Sequence, residues 1–549
     1  MSATGAGVES SEAAPGSLVD DRIAERPRVQ PRWLAESTGM VLALALALLA
    51  VWHMDATDRS WILYYESDSV LPALVRGSVL AGQPQNWSLS AVLFIPEMGL
   101  YFAIAALGLG IKGTFAFNAV VNLLMFYGSL RLLSGFVQRE VPRSRRVAGA
   151  LVAFGALVSL TLLEDSPRPD TFELASLVAT ATYYSSTVLA SVLATGIVSS
   201  LSTARPGRRR RRLEFGLLGL TVAATLTNPL FLGWEVAPLA LVLALMARRR
   251  VIPWRHLIRV GVVVALGAGL GFAGRIPFSH LIAKDGPAYV DPGSAPWLAI
   301  YYPKMLAERT STIMGALSLT AVVALILVSG IAFRKFLSER DARASVVAGM
   351  GWVGPVVVMV GAIAVGAFGT RYFQPMFFAP VCTLALAPRL FRDGLIFIRP
   401  LPRRTLKVLL GATVAACVAF SALATGALSS SATTINPDIR CVDDWISASH
   451  RTGAGHFGTI RGPKAYLAEP DQLIQIDDPF RAFPWLTDRT DYATKKVSFV
   501  LSDAAYPLPV LPAAAKAAPH RTVSCGRYTI TDFGQPILPI GPAPADLSS

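Results

Sequence analysis

Long apolar runs alternate with short polar connections through most of this chain, and many of the runs are long enough to cross a bilayer. They fall at 39–52, 114–136, 147–163, 184–202, 213–230, 235–247, 258–274, 312–333, 345–367, 373–390 and 406–427, a pattern that predicts about eleven membrane-spanning helices. Residues 1–37, rich in Ser, Ala, Glu, Pro and Arg with no apolar run, predict a disordered tail. The first run lies too deep in the chain, and lacks the small-residue cleavage site, to be a removable signal peptide. Past residue 427 the pattern turns polar and proline-rich, with strand-like pieces at 496–501 and 521–531, and predicts a small soluble α/β domain. The expected organisation is therefore a tail over 1–37, a membrane domain over 38–427 and a soluble domain over 428–549. Several runs are short or broken by Gly and Pro, which predicts tilted, closely packed helices around a cavity.

Arginine orients these runs. Clusters at Arg139/Arg143/Arg145/Arg146, Arg208 to Arg212, Arg248 to Arg250, Arg334/Lys335/Arg340/Arg343 and Arg399/Arg403/Arg404 each occupy a short connection, and such clusters remain cytoplasmic. An odd number of spans starting inside ends outside, so the N-terminus is expected in the cytoplasm and the C-terminal domain outside. The apolar segment 93–110 would invert every later loop if it crossed; with Pro96 and Glu97 near its start, it is read as re-entrant or interfacial.

Composition narrows the class further. The chain is 53% hydrophobic and only 16% charged, with a mean hydropathy of +0.49. Its net charge of +14 sits in inter-span loops without interleaved aromatics, so anionic headgroups rather than nucleic acid are the expected neighbours. Abundant Arg, Ala, Val and Gly suggest a GC-rich bacterial genome. No zinc spacing, phosphate-binding Walker loop, dinucleotide fingerprint or nucleophile elbow is present, which disfavours nucleotide-driven transport. Of the four cysteines, Cys382 and Cys417 lie in spans, whereas Cys441 and Cys525 bracket the soluble domain and are expected to pair in an oxidising exterior.

Chemistry must be sought in the outward loops. The first, 53–92, contains Trp61-Ile-Leu-Tyr-Tyr-Glu66-Ser-Asp68 and then a helical apolar pattern over 71–81. Glu66 and Asp68 stand two apart, a spacing that turns both carboxylates to one cavity if the backbone is extended. Such acids serve as a general base on a sugar hydroxyl, hold a divalent cation that bridges phosphates, or remain solvated loop acids. The second loop, 164–183, carries Glu164, Asp165, Arg168, Asp170 and Glu173, read as solvated, and ends in Tyr183-Tyr184. Asn228-Pro229 reads as a turn. The loop 275–311, with Arg275, Lys284, Tyr301, Tyr302 and Lys304, is long enough for a lid or interfacial helix. In Gly369-Thr-Arg371-Tyr372-Phe-Gln-Pro375 an arginine opens a span otherwise free of charge, and its guanidinium suits bidentate phosphate binding.

An inside N-terminus, a long first outer loop with an acidic pair beside an amphipathic helix, Arg371-Tyr372-x-x-Pro375 near a late span and an outer C-terminal domain together resemble the GT-C superfamily of integral-membrane glycosyltransferases. The resemblance covers roughly 38–427 in layout, and in motifs only Glu66/Asp68 and 371–375. It implies a polyprenyl-phosphate sugar donor, catalysis or metal binding by Glu66 and Asp68, and phosphate binding by Arg371. The motif here is Glu-Ser-Asp rather than Asp-x-Asp. The expected function is transfer of a sugar, with inversion or retention, to a glycan, lipid or protein of the bacterial envelope. Arg371 with Tyr372, helped by Arg275, Lys284 or Lys304, would bind the donor, and a divalent cation is the one cofactor to expect. The alternative from another class is a lipid-linked glycan transporter or a non-catalytic envelope-assembly protein.

Overall fold

The computed structural model describes residues 32–283, 290–390 and 403–543. Seven of its helices are long and apolar enough to cross a membrane by length and composition, among them Gly110–Val137, Ile313–Ser338 and Ala342–Ala364. Shorter helices such as Ser185–Leu201, Ala237–Arg248 and Pro375–Leu384 are interleaved with them. The protein is a multi-pass membrane protein with a small strand-rich domain at its C-terminal end. The first described helix runs Arg32–Ala56, so helix reaches into the stretch expected to be tail; residues 1–31 of that tail lie outside the described residues.

Close packing follows from small residues. Gly267 and Gly271, one turn apart on Trp254–Arg275, lie against Arg208–Thr227 so tightly that an added Cβ would stand 2.8 Å from Thr221 Cβ and 2.7 Å from Thr225 Cβ. Removing lateral bulk lets the two backbones approach where the lipid tails provide no hydrophobic drive for association.

The polar groups sort onto two faces. On one, Arg131 and Arg143 meet Glu36 at 2.6 and 3.6 Å, Arg139 and Arg209 both donate to Ser200 Oγ, and Arg389 pairs with Asp341 at 2.6 Å. On the other, the first loop, the segment around 282 and the C-terminal domain meet. Leu89 and Ala283 exchange backbone hydrogen bonds with Leu281 and Leu89, Arg489 donates to the Trp87 carbonyl, and Lys112 donates to the Ser431 carbonyl. Segment 93–110 begins and ends on this second face: Leu93 N–H donates to the Thr227 carbonyl, and Lys112 beyond it reaches Ser431. Its helix, Ile95–Ala105, has 11 residues, about 16 Å, too short to cross.

In the C-terminal domain a six-stranded sheet has the order Arg481–Ala482, Leu473–Asp477, Gly453–His456, Phe499–Asp503, Tyr528–Asp532, Arg521–Cys525. The central strand Gly453–His456 is parallel to both neighbours, which requires crossovers, and the helix Phe457–Tyr466 supplies one of them. The outer pairings are antiparallel, closed between Cys525 and Tyr528 by a turn with Gly526 at φ 62°. The expected strand at 496–501 is divided into Lys496–Val497 and Phe499–Asp503. Cys441, on the amphipathic helix Pro437–Ser449, is bonded to Cys525 across 84 residues of chain, a loop whose closure removes unfolded-state entropy worth a few kcal/mol.

Candidate functional site

Glu66 terminates the short helix Ser60–Tyr64 and begins a tight turn, not the extended strand its spacing from Asp68 suggests. The reason is local. Its Oε2 accepts the backbone N–H of Asp68 at 2.8 Å and of Ser69 at 3.2 Å, curling the chain so that Val70 N–H reaches the Glu66 carbonyl at 3.1 Å. The next helix, Leu71–Leu80, starts at once with Pro72 in its first turn. A third donor comes from far along the chain: the Tyr183 hydroxyl donates a hydrogen bond to the same Oε2 at 2.7 Å. Among the described residues no donor reaches Oε1. Burial, and after it the negative charge of Asp68, push the Glu66 carboxyl up to about 7, against the pull of Tyr183 and Arg371. Burial and the Glu66 charge raise the Tyr183 phenol well above its ordinary value, so it remains a neutral donor.

Asp68 turns the other way and pairs with Arg371 Nη1. The loop that presents Arg371 is built on Gly369, whose φ of 131° places it where L side chains are strained. Gln374 ties this loop to the second one by donating to the Tyr183 carbonyl at 3.0 Å, and the Arg371 guanidinium lies 6.0 Å from the Tyr183 ring centroid. Arg371 Nε is buried and, among the described residues, has no acceptor. Glu66, Asp68, Tyr183 and Arg371, from three separate loops, thus make one corner.

Beside it opens an apolar cavity of about 420 Å³ lined by Tyr184, Trp234, Val357, Val365 and Tyr372. Tyr372 is buried; its carbonyl takes the Trp234 indole N–H at 2.9 Å and its ring lines the cavity, next to Arg371 in sequence.

Not every expected residue gathers here. Arg275 spends its guanidinium on the backbone carbonyls of Ala91 at 2.6 Å and Leu226 at 2.7 Å, fastening the first loop to the end of a helix. Lys304 sits exposed on Ala295–Arg309, 3.8 Å from Glu308. Lys284 lies outside the described residues. The acids of the second loop are not all solvated: Glu164 and Glu173 are fully buried around an equally buried Arg59, each 3.6 Å from it, and Arg309 meets Glu173 at 2.5 Å. Glu164 also accepts the N–H groups of Ala175 and Ser176, so these charges are satisfied structural groups that set the second loop against the first. The Asn228 amide donates to Thr187 and accepts Leu230 N–H, as a turn residue does.

Two residues of the corner escape a reading of the sequence. Tyr183 stands out only as an aromatic at the mouth of a span, and Arg461, from the C-terminal domain, gives no signal; it donates to the Ser67 carbonyl at 2.8 Å. As a cation site the corner is a poor fit, because Arg371 occupies Asp68, Glu66 Oε2 is filled by three donors, and among the described residues no cluster of three His, Cys, Asp or Glu forms.

No family model matches the sequence, and no curated protein matches it. Solved structures do resemble it. The crystal structure of ArnT from Cupriavidus metallidurans in the apo state superposes with a TM-score of 0.52 at 14% identity, over 90% of this chain and 98% of that one. The same protein bound to undecaprenyl phosphate gives 0.50 at 13%, with the same coverage. The fold is GT-C. An oligosaccharyltransferase from Archaeoglobus fulgidus covers 86% of this chain and 70% of its own at 15% identity and a TM-score of 0.45, too low to add to that argument. This shared fold carries the corner of two acids and an arginine where three loops and the C-terminal domain converge.

Proposed function

We propose that this GT-C protein is a glycosyltransferase of the bacterial cell membrane that moves a sugar from a polyprenyl-phosphate donor to a hydroxyl-bearing glycan, lipid or protein of the envelope. The observation that carries the reading is the corner itself: a buried carboxyl pushed up to about 7, one oxygen of which no donor reaches among the described residues, near a guanidinium that lies beside an apolar groove. The donor lipid lies along Tyr184, Trp234 and Tyr372, and its phosphate meets Arg371. The acceptor oxygen bonds to the anomeric carbon as the bond from that carbon to the phosphate oxygen breaks. Glu66 Oε1 takes the acceptor proton, and the electron pair leaves on the polyprenyl phosphate, where the Arg371 charge stabilises it. Asp68 holds the guanidinium in place until the phosphate engages it. That undecaprenyl phosphate is bound in a chain of the same fold supports this choice of carrier.

The face bearing the corner is extracytoplasmic in this reading, since Arg139, Arg209 and Arg343, from three of the arginine clusters, meet on the opposite face. An impermeant thiol reagent applied to intact cells should label a cysteine placed at Ser430 and spare one placed at Arg210; the reverse pattern would invert the topology.

A photoreactive undecaprenyl phosphate tests the function. It should cross-link to the peptides containing Trp234 or Tyr372, and purified protein should transfer label from an undecaprenyl-phosphate sugar to the envelope fraction of a deletion strain. Cross-linking with no transfer from any of a panel of hexose and pentose donors would instead favour a lipid-linked glycan carrier.

A further inference from the structure

We propose that Arg461, carried by the C-terminal domain, is a positioning residue for the Glu66-Ser67-Asp68 turn, so that the soluble domain completes the active corner; the role rests on the transferase reading. Arg461 is buried on the helix Phe457–Tyr466, and its guanidinium crosses from one domain to the other. Nε donates to the Ser67 carbonyl, between the two acids, at 2.8 Å, and Nη1 donates to the Leu486 carbonyl of its own domain. The plane of the group lies over Phe457, 5.1 Å from the ring centroid. Nη2 is buried and, among the described residues, has no acceptor.

The same stretch of chain is seized from both sides. Ser67 Oγ donates to the Phe457 carbonyl at 3.1 Å, and the Tyr466 hydroxyl donates to the Tyr64 carbonyl at 3.0 Å. At Gly462 the helix backbone touches the turn, because an added Cβ would stand 2.6 Å from the Tyr65 carbonyl oxygen.

A neutral donor would suffice to clip two carbonyls together. Burying a cation with an unsatisfied N–H and, among the described residues, no carboxylate within 4 Å is expensive unless its charge is used. The carboxylates that act on it most strongly are Asp68 and then Glu66. Two acids are thus matched by two arginines, Arg371 from the membrane domain and Arg461 from the soluble one. The planar fork spans the two carbonyls in fixed geometry, which a flexible ammonium cannot do. Arg461 fixes where the Glu66 carboxylate stands without touching donor or acceptor, so its loss should slow the chemical step and leave donor binding intact.

The test compares the parent with Arg461→Met, Arg461→Lys and Gly462→Ala in detergent, reading undecaprenyl phosphate affinity and label transfer to envelope fraction from whichever undecaprenyl-phosphate sugar the parent uses. Arg461→Met should lower kcat about 100-fold, as a displacement of about 1 Å in a reacting group does, with donor KM and undecaprenyl phosphate affinity within about threefold of the parent. Arg461→Lys should recover part of the loss. Gly462→Ala, which keeps Arg461 but wedges the helix off the turn, should lower kcat in the same selective way, and these last two decide the matter if Arg461→Met does not fold. Transfer at the parental rate in all folded variants, or a loss in which kcat and donor affinity fall together, would overturn the role. A parent that neither binds undecaprenyl phosphate nor transfers label would overturn the transferase reading, and the role with it.

Discussion

Glu66→Gln should abolish transfer, lowering the rate by about 10²–10⁴-fold, while donor binding and folding persist, because the amide keeps the shape of the carboxyl but cannot take up a proton. Its amide can still accept Tyr183 and the two backbone N–H groups through its oxygen, so the turn survives. The parent's pH profile should carry the same signature. A base must be unprotonated to work, and this carboxyl titrates at about 7; kcat/KM should therefore rise with pH up to about 7 and level off above it. An ordinary exposed glutamate would place that limb near 4. A Glu66→Gln variant that restores normal envelope glycan in a deletion strain would remove Glu66 from the chemistry.

The second large effect is expected at Arg371. Arg371→Ala should weaken undecaprenyl phosphate binding by a factor corresponding to about 1–3 kcal/mol of charge-assisted hydrogen bonding, and should nearly abolish transfer, since it also strips Asp68 of its cation. Arg371→Lys should retain part of both, keeping the charge and losing the planar fork. Titration of purified protein with undecaprenyl phosphate separates the cases. If Arg371→Ala binds as tightly as the parent, the guanidinium serves Asp68 alone and the phosphate is held elsewhere.

Much of the architecture is legible in the chain because membrane insertion obeys one-dimensional rules. Apolar length marks a helix; of the arginine clusters, the structure brings Arg139, Arg209 and Arg343 together around Ser199, Ser200 and Thr203. Glu66, Asp68 and Arg371 are legible as charges set in aromatic or apolar surroundings, where a charge needs a reason. What cannot be read is long-range pairing. Glu164 and Glu173 look like ordinary loop acids until Arg59, more than a hundred residues earlier, is seen buried between them. Arg275 and Lys304 have the charge for a phosphate, but Lys304 is exposed beside Glu308, four residues on along the same helix, and Arg275 is consumed by distant carbonyls that leave no local trace. The extended geometry suggested by the Glu66 and Asp68 spacing gives way because the Glu66 side chain captures the very N–H groups that an extended strand would leave free.

The hydrogen bond from Arg461 to the Ser67 carbonyl joins residues 394 apart in sequence. At ribosomal speeds of 5–20 residues per second, roughly 20 to 80 s of synthesis separate the emergence of the acidic turn from that of its arginine. During that interval the nascent protein already contains Glu66 and Asp68 but not the arginine proposed to set them. On the role proposed for Arg461, activity waits until the C-terminal domain has folded against the turn, and chains truncated before that domain are expected to be inactive.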